Sequence, residues 1–266
     1  MKNTVVFSFL VAMLLAFAVL SAGCSSTAAV PEPGDITDAG DETAEQEQEP
    51  EKEPEKEPEP ESAAFITDAL RGDIESGYLI LVNKENGLDK NYKPDDLSDI
   101  KYYAADRAPE GRFMRAAAAE AFHLLVEEAG KNGFTLAMTT AYRSYDFQSA
   151  IYNNFVARDG KEAADRYSAR PGHSEHQTGL AADVSSPSVD YGLTVGFAGT
   201  AEGKWLSDNA HLFGFIIRYP DGAEEITGYQ YEPWHIRYVG AAAGYIYEHK
   251  ITFEEYLQLL EKETEE

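Results

Sequence analysis

Residues 174–183 read Ser-Glu-His-Gln-Thr-Gly-Leu-Ala-Ala-Asp, and residues 232–237 read Glu-Pro-Trp-His-Ile-Arg. The first stretch predicts a loop carrying His176 that enters a strand carrying Asp183, and the second predicts a separate strand carrying His235. A catalytic zinc ion takes three protein ligands of these residue types and leaves a fourth position for water. The two stretches therefore predict one metal site, assembled by the tertiary fold from His176, Asp183 and His235.

Glu232 is a spare carboxylate three residues before His235. Pro233 restrains the preceding residue to an extended backbone, which disfavours a helical His-Glu-x-x-His arrangement. Glu232 is therefore predicted to be a general base rather than a ligand, and Trp234 is expected to pack on the far side. The single cysteine, Cys24, is far from both stretches in the sequence, so a thiolate ligand is excluded.

These two stretches resemble those of the VanY-type D-alanyl-D-alanine carboxypeptidases, a family of zinc-dependent enzymes that trim bacterial cell-wall peptides. The shared pattern is Ser-x-His-x-x-Gly-x-Ala-x-Asp followed by Glu-x-Trp-His-x-Arg. The resemblance covers roughly residues 64–260. It also includes Leu-Val-Asn-Lys at 81–84, Thr-Ala-Tyr-Arg-Ser at 140–144 with Gln148, Trp205-Leu206 through Gly214-Phe215, and Ile-Thr-Gly-Tyr at 226–229.

The resemblance implies a role for each matching residue. His176, Asp183 and His235 are the implied zinc ligands. Glu232 and Arg143 are the implied catalytic residues, with Glu232 as the base, and Arg143, Gln148 and Ser174 are implied to contact the substrate. The implied cofactor is Zn²⁺.

Arg143 also stands out from its position in the sequence. It follows an apolar run over 135–142, which predicts a strand, and it precedes a helix predicted to start near Tyr145. An exopeptidase that cuts at a C-terminus must recognise a free carboxylate, and the planar guanidinium matches that group. Under the alternative, Arg143 is a solvated charge at a strand end. Arg218 and Arg237 are interpreted as structural ion-pair partners.

The four remaining histidines are interpreted as structural residues. His173 is expected on a loop and His123 on a helix face. His211 and His249 are expected near helix C-termini, where a positive imidazolium is favourable.

The N-terminus predicts an exported protein. The apolar run over 5–20 is short for the roughly 20 residues that a membrane span needs and is typical of a signal-peptide core. It ends in Leu-Ser-Ala-Gly-Cys at 20–24, which resembles a lipoprotein processing site. Residues 1–23 are therefore a predicted signal peptide and Cys24 a predicted lipidation site on the outer face of the cytoplasmic membrane. An ordinary cleaved signal and an uncleaved anchor are the alternatives.

Residues 24–62 are predicted to form a disordered tether. Residues 25–62 hold fourteen Asp or Glu against Lys52 and Lys56, a net charge of −12 within the chain's −25. Self-repulsion and proline keep such a segment extended. At ~3.1 Å per residue it reaches on the order of 100 Å, which would let an anchored enzyme work in the cell wall.

The remaining 204 residues, 63–266, suit one domain. Strands are predicted near 78–82 and over 135–142, 180–185, 214–219 and 234–239, and helices over 111–131, 146–168, 202–212 and from 241 onward. Strands without regular βαβ alternation favour an α+β fold, a small, mainly antiparallel sheet with helices packed against it. The resemblance implies the same fold, of the hedgehog/DD-peptidase-like kind, with the zinc site in a cleft.

The leading functional hypothesis is a zinc D,D-carboxypeptidase that removes the terminal D-alanine from peptidoglycan stem peptides. An L,D-carboxypeptidase acting on tetrapeptide stems is the alternative within the same chemistry, and a D,D-dipeptidase fits an exported, tethered enzyme less well. A non-catalytic wall-binding module and a structural envelope lipoprotein are the hypotheses from other classes. The expected partners are stem peptides and, through Cys24, the membrane. The acidic charge argues against nucleic acid, and we expect a monomer.

Overall fold

A four-stranded antiparallel sheet carries Asp183 and His235 on its two inner strands. The structure is a computed structural model that describes residues 67–104 and 109–265, which belong to one compact unit. The predicted signal peptide over 1–23, Cys24 and the acidic segment through residue 62 lie outside the described residues.

The strands are β1 (Leu97–Asp99), β2 (Phe113–Arg115), β3 (Ala137–Thr140), β4 (Ala181–Ser185), β5 (Phe215–Ile217) and β6 (His235–Tyr238). The helices are α1 (Asp68–Glu75), α2 (Ala116–Lys131), α3 (Tyr145–Asp159), α4 (Lys161–Tyr167), α5 (Ala201–Asn209), α6 (Glu224–Thr227), α7 (Ala242–His249) and α8 (Phe253–Glu265). The main sheet has the order β3-β4-β6-β5, and β1 pairs with β2 as a separate ribbon.

The register of the sheet brings the two motifs together. In the antiparallel pair of β4 and β6, Asp183 is directly opposite His235, and Ala182 is opposite Ile236. Directly opposed residues project from the same face of a sheet and lie within side-chain contact. The pairing therefore places a carboxylate and an imidazole side by side, although 52 positions separate them in the sequence.

Successive side chains of β4 and β6 alternate between the hydrophobic core on one face of the sheet and the candidate site on the other. Ala182, Val184 and Ile236 belong to the main hydrophobic core, which they share with Phe122 and Leu125 of α2. Because successive residues of a strand point to opposite faces, Asp183 and His235 face away from this core. A second core, formed largely by α1, α7 and α8, includes Leu70, Ile246 and Phe253.

Several predicted elements are corrected by the structure. The strand predicted near 78–82 is wrong, since these residues form a turn and irregular backbone. The carbonyl oxygens of Tyr78 and Ile80 accept hydrogen bonds from Arg237 Nη2, at 3.0 and 2.8 Å, instead of pairing with a strand. The helix predicted from residue 111 begins at Ala116, because the residues before it form β2 and pair with β1.

Two predicted helices are shorter than expected. The helix predicted over 146–168 is divided into α3 and α4 at Gly160, whose φ of +82° lies in a region that favours glycine. The helix predicted over 202–212 ends as α5 at Asn209 and continues as a 3-10 turn. The predicted α+β class with a small antiparallel sheet is confirmed. Across the described residues, the helices are too short or too polar to cross a bilayer.

Candidate active site and metal centre

Three predicted ligands converge at one point in the structure. His176 Nε2 lies 3.4 Å from Asp183 Oδ2, and His235 Nδ1 lies 3.0 Å from Asp183 Oδ1. One ligand atom from each residue lies within 4.8 Å of the other two, and all three side chains are buried. This is a donor set of two imidazoles and one carboxylate that can hold a metal ion.

Both imidazole rings are held through the nitrogen that faces away from Asp183. His176 Nδ1 donates to the carbonyl oxygen of Ala141 at 2.6 Å, which leaves Nε2 free to bind a metal. His235 Nε2 lies 3.3 Å from Glu175 Oε2, which leaves Nδ1 free in the same way. Histidines that bind metals characteristically donate their second N–H to a carbonyl or a carboxylate. The residues present therefore fit a metal ion.

The protonation states of the three residues also suit a metal. Burial, reinforced by the nearby Arg143, lowers the pKa of His176 to about 4, so this ring is neutral at pH 7. Burial opposes ionisation of Asp183, but the two adjacent histidines outweigh it and hold the pKa of the carboxyl well below its usual range. Burial also opposes protonation of His235, yet its contacts with Asp183 and Glu175 raise its pKa to about 9. Metal binding at neutral pH would thus displace one proton, from His235.

Glu232 reaches the site through a tight turn. The N–H of His235 donates to the carbonyl oxygen of Glu232 at 3.1 Å, with Pro233 at the second position of the turn, where its fixed φ is favourable. Glu232 Oε2 lies 3.9 Å from His235 Nδ1. Burial raises the pKa of Glu232 to about 7, against the opposing effect of His235. A carboxylate with a pKa near neutrality, next to a metal site, is suited to proton transfer.

Trp234 lies between Glu232 and His235 in the sequence and is half-buried. It packs against the main hydrophobic core, which lies on the face of the sheet opposite Asp183 and His235, as the sequence predicted. It also borders the cleft that contains Glu232.

Arg143, Gln148 and Ser174 line the cleft that contains the metal-binding residues, a cavity of about 400 Å³. Arg143 is partly buried, and its Nε is enclosed without a hydrogen-bond partner among the described residues. Its backbone N–H donates to the carbonyl oxygen of His176 at 3.1 Å, which fixes it relative to a ligand. The side chain of Arg143 is therefore partly enclosed at the cleft rather than fully solvated, and its role in substrate binding stays a prediction.

Gln148 and Ser174 are both buried at this cleft. Gln148 Nε2 donates to the carbonyl oxygen of Ala169 at 2.7 Å, and its Oε1 is enclosed without a partner in the described part of the chain. Ser174 immediately precedes the 3-10 turn that carries His176. The structure thus brings the seven predicted site residues of the catalytic domain to one cleft, whereas Cys24 lies outside the described residues.

Aromatic walls of this cleft were not predicted from the sequence. The ring of Tyr219 lies 4.9 Å from that of His235 and 4.6 Å from that of Tyr229. The hydroxyl of Tyr229 is buried without a hydrogen-bond partner among the described residues. Lys84 Nζ lies 4.8 Å from the centre of the Tyr229 ring. The stretches 81–84 and 226–229, noted above without a role, thus meet beside the cleft.

Glu175, a buried carboxylate between Ser174 and His176, was also not predicted from the sequence to take part in the site. Glu175 Oε1 pairs with Arg218 Nε and with Arg237 Nη1, each at 2.7 Å. The interpretation of both arginines as structural ion-pair partners is confirmed. The sequence did offer a signal for this cluster: a glutamate stands inside the Ser-x-His motif, and the two arginines had been interpreted as ion-pair partners without an assigned carboxylate.

The other histidines lie outside the metal-binding group. His173 Nδ1 donates to the carbonyl oxygen of Asn83 at 2.9 Å from its loop. His123, on α2, accepts a hydrogen bond from the N–H of Lys101. His211 lies in the 3-10 turn after α5, and His249 is the last residue of α7. All four structural interpretations are confirmed.

Comparisons with known proteins identify a family. The model of the VanY family, described as D-alanyl-D-alanine carboxypeptidase, matches residues 111–241. The putative carboxypeptidase YodJ of Bacillus subtilis is 46% identical over 187 residues, which are 69% of this chain and 68% of YodJ. A D-alanyl-D-alanine carboxypeptidase of Enterococcus faecalis is 32% identical over 207 residues, 74% of this chain and 72% of that protein.

Solved structures agree with the sequence comparisons. The LdcB LD-carboxypeptidase superposes with a TM-score of 0.66 and 46% identity, over 68% of this chain and 86% of LdcB. A mutant of the vancomycin-resistance D,D-pentapeptidase VanY, in complex with Zn(II), gives a TM-score of 0.54 and 33% identity, over 68% of this chain and 98% of that one. The chain described here belongs to the VanY family of D-alanyl-D-alanine carboxypeptidases.

Proposed function

We propose that this protein is a zinc carboxypeptidase that removes the C-terminal D-alanine from peptidoglycan stem peptides. The observation that carries the proposal is that Arg143 lines the same cleft as the three metal-binding residues. The guanidinium of Arg143, whose Nε has no hydrogen-bond partner among the described residues, lies in the same cavity of about 400 Å³ as the metal-binding residues and Glu232. A guanidinium with a free donor beside a hydrolytic centre fits a substrate that ends in a free carboxylate.

The proposed substrate contacts follow from the donors in the cleft. Arg143 would bind the terminal carboxylate, and its backbone hydrogen bond to His176 keeps that anchor at a fixed position relative to the site. The unpaired Gln148 Oε1 and the Ser174 hydroxyl are further polar groups for the peptide end. Holding the substrate at one end against a rigid centre lowers the entropic part of the barrier.

Zinc, when held by His176, Asp183 and His235, supplies a Lewis acid and lowers the pKa of water. Glu232 then accepts the proton of the attacking water and donates it to the leaving amine. Its raised pKa suits both steps, because a group with a pKa near 7 can both take up and release a proton at neutral pH. A non-catalytic binding module would have no use for such a carboxylate.

The preferred scissile bond is L,D, with D,D as the second candidate. The similarity to LdcB, an LD-carboxypeptidase, exceeds that to the D,D-pentapeptidase VanY in both identity and TM-score. DacB from Streptococcus pneumoniae, another L,D-carboxypeptidase, is 38% identical. The D,D alternative is supported by the 32–33% identical enterococcal D-alanyl-D-alanine carboxypeptidases.

The proposed location is the outer face of the cytoplasmic membrane, with the catalytic domain working in the cell wall. The support comes from the sequence, through the apolar run over 5–20, Cys24 and the acidic segment that follows it. An exported enzyme with a long tether suits a polymeric substrate.

The test is to incubate the purified protein with defined tetrapeptide and pentapeptide stems, each with a free or an amidated C-terminus. Release of D-alanine from the free tetrapeptide, lost after chelation and restored by zinc, is the expected result. Release from the pentapeptide alone would favour the D,D candidate. Binding of either peptide without turnover would contradict an enzymatic function.

A further inference from the structure

Behind His235 lies a cluster of four buried charged side chains. Arg218 and Arg237 are fully enclosed, and both bind Glu175 Oε1. Arg218 also donates to both carboxylate oxygens of Glu254, at 2.8 and 2.6 Å. Two guanidiniums and two carboxylates make the cluster electrically neutral, which removes the large cost of burying an unpaired charge.

The two oxygens of Glu175 have different partners. Oε1 accepts from both arginines, whereas Oε2 lies 3.3 Å from His235 Nε2. Among the described residues, the ring of His235 is the hydrogen-bond partner recorded for Oε2. If charge balance were the whole role of Glu175, Oε2 would not need to face a ligand.

The contact determines which nitrogen of His235 can bind a metal. A carboxylate accepts hydrogen bonds, so the proton of the neutral ring is held on Nε2 and the lone pair stays on Nδ1. Nδ1 is the atom that faces Asp183, at 3.0 Å. The opposite tautomer would point an N–H at the metal position and leave two lone pairs facing each other at Nε2 and Oε2.

We propose that Glu175 is a positioning residue for the metal centre, which holds His235 in the tautomer and orientation that present Nδ1 to the ion. Arg218 and Arg237 hold Glu175 in turn, and Arg237 is itself fixed by the carbonyl oxygens of Tyr78 and Ile80. The inference rests on the proposed zinc site, but it does not depend on which peptide is the substrate.

The test compares Glu175→Gln with Glu254→Gln in the full chain, purified in detergent. Both substitutions remove one carboxylate from the cluster, but Glu254 contacts Arg218 and not His235. Competition with a fluorescent chelator measures zinc affinity, and thermal unfolding of the metal-free protein measures stability. Loss of a group that orients a ligand costs about 10–100-fold in metal affinity, whereas the control is expected to stay within about threefold of wild type.

A second variant keeps the test decisive if Glu175→Gln folds poorly. Glu175→Asp retains the charge for the two arginines but is one methylene shorter, so it is expected to withdraw from His235 Nε2. We expect weakened zinc affinity, an altered visible spectrum of the Co²⁺-substituted protein and a lower kcat at unchanged KM. The spectrum and the affinity are readouts that a merely structural residue would not move.

Wild-type zinc affinity and an unchanged Co²⁺ spectrum in both Glu175 variants would overturn the proposal and leave Glu175 as an ion-pair partner alone. If the wild-type protein binds zinc but cleaves no stem peptide, the proposed function fails while the role of Glu175 is still decided by affinity. If the wild-type protein binds no zinc, both proposals fall.

Discussion

Replacing Glu232 by glutamine is expected to make the metal-free protein more stable and the enzyme nearly inactive. Burial raises the pKa of this carboxyl from 4.5 to about 7, which means that the metal-free fold disfavours its ionised form. A pKa shift of one unit corresponds to about 1.4 kcal/mol, so the shift of the Glu232 pKa corresponds to about 3 kcal/mol. The side chain is 19% exposed, so solvent screening reduces the expected gain to about 1–3 kcal/mol in the free energy of unfolding.

The sign of the effect depends on pH. Because the folded-state pKa of Glu232 lies above the unfolded value, the folded state binds more protons between pH 4.5 and about 7. The free energy of unfolding of the wild type therefore falls as the pH rises through this window, relative to a protein that lacks the group. Glu232→Gln has no such dependence, so its advantage should be near zero below pH 4.5 and complete above pH 7.

Urea unfolding of the chelator-treated protein, followed by the fluorescence of Trp205 and Trp234, measures this difference at about pH 4.5 and about pH 8. Glu225→Gln is the matched control, because it neutralises an exposed carboxylate and should change little at either pH. In the zinc-loaded protein, Glu232→Gln should lower turnover by about 10²–10⁴-fold without loss of metal. A less stable variant at pH 8 would refute the pKa reasoning, and a variant that loses zinc would make Glu232 a ligand.

The remaining predictions concern the ligands, the substrate anchor and the lipidation site. His176→Ala or His235→Ala removes one of three protein ligands, so zinc content and activity should fall together, and full zinc content in both variants would show that the ligands are wrongly assigned. Arg143→Lys keeps the charge but loses the planar fork, so amidating the substrate C-terminus should hurt the wild type much more than this variant. A wild type unaffected by amidation would be an endopeptidase. Cys24→Ser should move the protein from the membrane fraction to the soluble one, and a variant that stays in the membrane would indicate an uncleaved apolar anchor.

The positions of Asp183 and His235, two of the three proposed ligands, could be predicted from the sequence because both lie on regular strands. Ala-Ala-Asp-Val-Ser and His-Ile-Arg-Tyr form strands close to their predicted bounds, and the register then sets Asp183 against His235. The placement of Glu232 beside this group could also be predicted, since Pro233 leaves Glu232 few backbone conformations. The strands and the turn depend on neighbours a few positions apart, whereas the register joins residues 52 positions apart.

What the sequence did not reveal depends on distant partners. The apolar residues near 78–82 suggested a strand, yet the carbonyl groups of Tyr78 and Ile80 accept hydrogen bonds from the guanidinium of Arg237, more than 150 positions away. Glu175 was overlooked for the same reason, because its arginine partners lie 43 and 62 positions along the chain. Local patterns determine which residues can form a strand, but they do not show where a backbone carbonyl or a buried carboxylate finds its donor.

The charges at the site account for the proposed preference for a free C-terminus. The cluster of Arg218, Arg237, Glu175 and Glu254 is neutral, so it adds little net field at the metal position. Once a metal ion has displaced the proton of His235, the remaining charged groups are Asp183 and Glu232, each −1, and Arg143, +1, which sum to −1. The divalent ion itself brings this sum to +1, and the carboxylate of the substrate returns it to zero. Since an unbalanced charge in a buried cleft is costly, a peptide with an amidated end would leave the loaded site one positive charge in excess, and the free carboxylate is the end group that completes it.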